Sequence, residues 1–298
     1  MAILTSSRGD ELHRLRGSRQ RRGRTNGRVQ IFIGFALLAV LALVCVLAPW
    51  IAPYDPISGD AAQKYLSPGS PGHLLGTDDQ GRDTLSRLLY GGRTSLIVAV
   101  LASTAATVIG STTALIAGFS GDKVAGLIMR TIDIMFAFPV IIIAVALALV
   151  FDPGITVLVL AIVFAAVPYV ARVIFAEVKQ QRGHEYVESA VSLGAGFWSI
   201  LTREVLPNVI GQIVVYGTSL VGAMVVFSSS LSALGIGVQP PDADWGRMIA
   251  DGAKVIISGN FWLALLPGLA ILVVALTFNW LGDGLRDAAD PHRRRHNS

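Results

Sequence analysis

Few side chains in this 298-residue sequence combine a type and a setting that could do chemistry. Asp133 borders a long apolar run, three residues after Arg130. A carboxylate in such a setting is a candidate proton relay, but the i, i+3 spacing also offers a local ion pair with Arg130, and that structural reading is preferred. Asp78-Asp-Gln-Gly-Arg-Asp83 has the composition of a calcium loop without its spacing, since D-x-[DN]-x-[DN]-G and a distal Glu are missing. It reads instead as a turn in which Asp83 caps a helix, with Leu85, Leu88 and Leu89 forming the apolar face of an interfacial segment. Ser228, Ser229 and Ser230, with Ser232 and the more distant Thr218 and Ser219, could line a polar pathway or mediate helix packing, and the sequence leaves both open. Gly217 and Gly222 suit close helix packing, and Asn279 an interhelical hydrogen bond.

The remaining reactive residue types argue against an enzyme. His13, His73, His184, His292 and His296 are too scattered to suggest a metal site, and none lies inside an apolar run where it could activate a serine. Cys45 is the only cysteine, so no intrachain disulfide forms. No G-x-x-x-x-G-K-[ST] sequence occurs, so energy for any driven process must come from another chain or from a gradient.

The elements that carry these residues are set by composition. Hydrophobic residues make up 53% and charged residues 15% of the chain, and mean hydropathy is +0.61. A globular chain carries about 25% charge. Stretches free of Asp, Glu, Lys and Arg cover 29–54, 94–121, 134–151, 153–171, 205–241 and 255–282. A bilayer-spanning helix needs about 20 apolar residues. The expectation is therefore an all-α polytopic membrane protein with six transmembrane helices. Within 205–241 the span is about 209–231, because Gly235-Ile-Gly-Val-Gln-Pro-Pro241 is rich in breakers. Asp152-Pro153-Gly154 turns the third span into the fourth.

Orientation follows from the basic residues. Arg8, Arg14, Arg16, Arg19, Arg21, Arg22, Arg24 and Arg28 crowd the N-terminal tail, and Arg286 with Arg293, Arg294 and Arg295 the C-terminal one. Positive residues near span ends stay cytoplasmic, so both termini are expected inside, with the tail against anionic lipid rather than nucleic acid. Segments of about 49–93 and 232–260 then lie outside. The long inner loop, about 176–208, stands between the fourth and fifth spans.

That loop reads as two short helices. Tyr186, Val187, Ala190, Val191 and Leu193 recur at helical period up to Gly194-Ala195-Gly196. Phe197 to Val205 forms the second helix, with Phe197, Trp198, Ile200 and Leu201 apolar, and Pro207 is expected to stop it. Exposed large apolar groups on such a loop call for a partner, unless it folds back on its own bundle.

Glu188-Ser189-Ala190, three residues, Gly194, nine residues, then Glu204-Val-Leu206-Pro207 resembles the "EAA" loop of ABC-importer permease subunits, with Ser189 and Glu204 as departures from the pattern. Three more blocks resemble the C-type subunits of dipeptide, oligopeptide and nickel permeases. These are His73 to Arg93, Leu231 to Pro241 with Trp245-Gly246, and Gly282 to Pro291. The resemblance covers about 29–291 and implies the type I ABC importer permease fold.

It also implies roles. Glu188, Ser189, Ala190, Gly194, Leu206 and Pro207 would couple to a cytoplasmic ATPase. Gln239, Pro240, Pro241 and Trp245 would lie at the outer mouth, where a binding protein docks, and Ser228, Ser229 and Ser230 are the candidates for the pathway. The implied partners are a B-type permease subunit, two ATPase subunits or one fused ATPase, an extracytoplasmic peptide-binding protein and membrane lipid, in a bacterial cytoplasmic membrane. No cofactor or metal is expected in this chain, since ATP and magnesium would sit in the ATPases. The chain divides into a basic tail (1–28), a first helix with its outer segment (29–93), a permease core (94–282) and a C-terminal tail (283–298). The expected cargo is a dipeptide or oligopeptide. The alternatives are nickel or, from a different class, a stand-alone secondary transporter.

Overall fold

The computed structural model describes residues 27–289, with side chains from 30 to 288. Most of the basic N-terminal tail and Arg293 to Arg295, which carry much of the orientation argument, lie outside the described residues, as does the end of the C-terminal block at Pro291.

The regular elements among the described residues are helices. They are α1 (Gly27–Val46), α2 (Ala48–Ile51), a 3₁₀ turn (Ala61–Gln63), α3 (Thr84–Phe119), α4 (Asp122–Ala137), α5 (Val140–Phe151), α6 (Ile155–Arg182), α7 (Glu185–Ser192), α8 (Phe197–Ile200), a π-turn (Leu201–Val205), α9 (Leu206–Ala233), α10 (Trp245–Ala253) and α11 (Trp262–Ala289).

Four helices are long and apolar enough to cross a bilayer: Thr84–Phe119, Ile155–Arg182, Phe197–Ala233 and Trp262–Ala288. The expected six spans are reached only by adding α1, whose described apolar stretch Gln30–Val46 is shorter, and the pair α4–α5. That pair corrects the reading of 134–151 as one straight helix, because its two parts meet at 83°. Pro139 is the cause. It pushes the preceding residue out of the helical region, and Phe138 is extended at φ −94, ψ 125.

A second correction concerns Pro207. It does not stop the helix before it. Phe197 to Ala233 runs as one 37-residue helix, about 55 Å long at 1.5 Å per residue. Proline removes one ladder donor and crowds the preceding turn. The π-turn Leu201–Val205 lies directly upstream and takes up the misfit without ending the helix.

α3 and α6 form the most extensive helix pair. Their seam depends on absent side chains. A Cβ on Gly110 would stand 2.7 Å from the Cβ of Val170, and one on Gly118 would stand 2.6 Å from Cγ1 of Val178. Lipid gives little hydrophobic drive between helices, so such close approach is what holds spans together. α9 approaches α11 the same way, with Gly222 against the carbonyl of Ala275. Asn279 is exposed and makes no interhelical hydrogen bond among the described residues, contrary to expectation.

Candidate functional site

The loop between α6 and α9 stands at the end of the bundle where α3 finishes. Arg182, at the last turn of α6, donates to the carbonyl of Ser120 at 2.8 Å. Its guanidinium also lies over the ring of Phe119, 5.8 Å from the centroid. Phe119 in turn packs on Phe197 with ring centroids 5.3 Å apart. Val187, Ile200, Leu201 and Val205 are buried in the same core as Ile174 and Val178 of α6. The inner face of the loop is therefore bolted to the bundle.

α7 ends in a complete Schellman closure. Ala195 N–H donates to the Ala190 carbonyl at 3.1 Å and Gly194 N–H to the Val191 carbonyl at 2.9 Å. Gly194 holds φ at +78, and a Cβ there would meet nothing within 4 Å. Glycine is required by the backbone angle and not by crowding. At the start of α7, Tyr186 donates to Oε1 of Gln181 at 2.8 Å. Burial, and then the charge of Glu204, raise its phenol above the ordinary value, so it remains a donor.

The six residues assigned to coupling fall into two groups. Glu188, Ser189 and Gly194 are exposed on α7 and its cap, with Ala190 half-buried beneath. Leu206 is half-buried and Pro207 exposed at the start of α9. The apolar surface of the loop differs from expectation. Ile200 and Leu201 are buried and Phe197 half-buried; the exposed groups are Val191, Leu193 (88% exposed) and Trp198 (64%). Leu193 stands out only once Gly194 is known to turn the chain and leave it on the tip.

At the opposite end, the segments 52–83 and 234–254 form one polar knot. Asp83 accepts from the Ser86 backbone and hydroxyl, each at 2.8 Å, and so caps α3. Nδ1 of His73 meets Asp83 at 2.9 Å. Arg82 donates to Asp78 at 2.7 Å, and Arg87 reaches the carbonyls of Pro56 and Pro241 at 2.9 and 3.2 Å. Asp244 caps α10 through Arg247 N–H and accepts from Ser95 of α3 at 2.7 Å. Gln239, Pro240 and Pro241 are exposed here. Trp245, placed with them by sequence, is buried with its indole on Leu88 and does not face a docking partner.

Of the three serines named as candidates for the pathway, Ser228 is buried and bonds the Val225 carbonyl at 3.0 Å. Ser229 is buried with its hydroxyl unpaired among the described residues. Ser230 is exposed and donates to Val226. Only Ser230 faces outward from its helix.

Asp133 does not pair with Arg130. Its carboxylate accepts from Arg172 of α6 at 2.6 Å, because α4 packs along α6 and brings residues 39 apart in sequence together.

Comparison with known proteins places this geometry. Residues 89–295 match the family described as binding-protein-dependent transport system inner membrane component. Residues 32–68 match the N-terminal TM domain of oligopeptide transport permease C. The chain is 38% identical over 265 residues to a di/tripeptide transport system permease protein of Pseudomonas aeruginosa, covering 87% of each. It is 35% identical to a dipeptide transport system permease protein of Haemophilus influenzae, covering 87% of this chain and 89% of that one. It is also 32% identical to a probable D,D-dipeptide transport system permease protein of Escherichia coli, covering 86% and 85%.

Proposed function

The chain belongs to the binding-protein-dependent transport system inner membrane components, and on that premise we propose that it is one transmembrane subunit of an ATP-driven importer that carries short peptides into the cytoplasm. The permease role comes with the family. The peptide cargo rests on the names of relatives that match the chain nearly end to end.

The observation that carries the mechanism is the single helix Phe197–Ala233. It begins at the loop that displays Glu188, Leu193 and Trp198 and ends beside the polar knot at the opposite face. A partner that grips the loop therefore pulls on one rigid rod that crosses the bilayer. ATP and magnesium act in separate ATPase subunits. When these close, the loop moves with them, α9 tilts or rotates, and the outer end around Gln239 to Pro241 opens toward a peptide-binding protein. A B-type permease subunit supplies the other wall of the pathway. Both termini, and the loop, face the cytoplasm.

The test is reconstitution. The chain, assembled with a permease partner, the ATPases and a binding protein in vesicles, imports a labelled dipeptide only when ATP is present on the loop side. Import driven by an ion gradient without ATP would replace this reading with the secondary transporter.

A further inference from the structure

Between α10 and α11 the chain makes a turn that carries large apolar side chains into the open. Ile257 is fully exposed, and Ile256 and Phe261 are 46% and 56% exposed. The turn is closed on itself. The N–H groups of Ser258 and Asn260 donate to the Val255 carbonyl at 3.1 and 3.3 Å, and that of Gly259 to the Ile256 carbonyl at 3.0 Å. A segment that leaves water must pair its backbone internally, and these bonds do so for the closing half of the turn.

The level of the turn in the bilayer is set by α11, which is long and apolar enough to span it. Below Phe261 the exposed residues of that helix are Leu265, Leu269, Leu272, Val273 and Leu276, until Asn279 and Trp280 end the apolar stretch. Phe261 to Trp280 covers about 28 Å at 1.5 Å per residue, close to the ~30 Å of a hydrocarbon core. Close helix contacts in this protein are made over Gly110, Gly118 and Gly222. The α11 stripe presents only large side chains, which suit lipid and not a second helix. Phe261 therefore marks one boundary of the core, and the bond from Asn260 to Val255 holds the turn beside that boundary. Lys254 precedes it, with an exposed ammonium that bonds Asp251 at 2.8 Å.

We propose that the turn 254–261 inserts into the headgroup boundary of the leaflet on the side of the polar knot. Ile256, Ile257 and Phe261 enter the first part of the acyl region, about 5–10 Å deep. The Lys254 ammonium stays above them among the lipid phosphates. The turn is then an anchor that fixes the height of α10, whose Trp245 bonds α3, and not part of the surface offered to a docking protein.

The experiment uses the importer assembled with cysteine-free partner chains in nanodiscs of phosphatidylethanolamine and phosphatidylglycerol. A spin label is attached through Ile257→Cys or Phe261→Cys, with Gln239→Cys, exposed in the polar knot, as reference. Ile257 is fully exposed, so its replacement keeps the fold, and the native Cys45 is buried. Collision of the label with dissolved oxygen, which collects among acyl chains, is compared with collision with a water-soluble nickel chelate. The oxygen-to-chelate ratio at Ile257→Cys and Phe261→Cys is expected to exceed that at Gln239→Cys by at least about fivefold, with or without the binding protein, as insertion to this depth requires. A ratio at Ile257→Cys equal to that at Gln239→Cys puts the turn in water and overturns the proposal. Loss of both collisions at Ile257→Cys marks a protein cover and overturns it as well. That cover is the permease partner if the loss is constant, and the binding protein if the loss comes only on its addition. The readout needs no transport, so it stands whatever the cargo.

Discussion

The indole Nε1 of Trp245 donates to the backbone carbonyl of Leu88 at 2.8 Å, joining α10 to the first turn of α3 across 157 residues of chain. The ring lies where any side chain at position 92 would go, since a Cβ on Gly92 would stand 2.5 Å from it and 2.8 Å from the Cys45 sulfur. Three helices, α1, α3 and α10, thus close on one glycine.

Gly92→Val is therefore expected to prevent this closure, because both obstacles are packed interior groups with no room to retreat. Trp245→Phe keeps most of the volume and loses one hydrogen bond, a cost of about 1 kcal/mol. Thermal stability of the detergent-purified complex separates the two. Gly92→Val should lose yield outright and Trp245→Phe should lower the unfolding temperature by a few degrees. Equal stability of Gly92→Val and wild type would show that the indole is not held there.

Asp83 gathers three polar contacts on one carboxylate that is 1% exposed, capping α3 through the Ser86 backbone and hydroxyl and holding His73. Asp83→Ala removes the cap, worth about 1 kcal/mol. It also strands buried donors on Ser86 and His73, at about 1–3 kcal/mol more. Asp83→Asn keeps the acceptor to Ser86 and should lose less. A scan of thermal stability should rank wild type, Asn and Ala in that order.

Much of this was legible in the sequence, and the failures have identifiable causes. Uncharged runs gave the helices because lipid tolerates no unpaired backbone, so length and apolarity nearly determine a span. The Gly194 turn was legible because only glycine takes φ +78 easily. Pro139 escaped notice because an apolar run hides a break in direction, which composition does not register. Pro207 misled in the other direction, since the local rule ends a helix there but a π-turn absorbed the fault. The Asp133 pairing was not legible, because Arg172 is a neighbour only through packing of α4 on α6. Trp245 was read as a surface residue beside Gln239 to Pro241 and is buried instead, because aromatic residues serve interfaces and cores alike.

Orientation has a direct test. Cysteines introduced as Ser70→Cys and Gln239→Cys should react with a membrane-impermeant reagent in intact cells, and Ser192→Cys should react only after lysis. Gln239 and Ser192 are exposed and Ser70 half-exposed, so access is not limited by packing. The native Cys45 is buried and stays silent. Labelling of Ser192→Cys in intact cells would invert the topology.

The surface proposed for coupling carries the last prediction. Gly194 faces open space: a Cβ there meets no atom within 4 Å, so the main cost of Gly194→Val comes from the backbone. A β-branched residue at φ +78 costs roughly 1–2 kcal/mol, concentrated in the cap that ends α7. The core beneath, from Val187 to Val205, is untouched. Glu188→Lys reverses a charge on an exposed helix face, where a like-charge contact with a partner can cost several kcal/mol. Leu193 and Trp198 are large apolar groups exposed on the same loop, and an aromatic anchor such as Trp198 is the type that carries most of an interface's affinity. Trp198→Ala is therefore expected to weaken ATPase docking by about 2 kcal/mol, or tens of fold in affinity. All three variants should reach the membrane in normal amount, while import and binding-protein-stimulated ATP hydrolysis fall together. Co-purification of the ATPases on the tagged permease measures the docking directly. Normal docking and import in both Glu188→Lys and Trp198→Ala would mean that this loop is not where the energy enters, and the path along Phe197–Ala233 would lose its starting point.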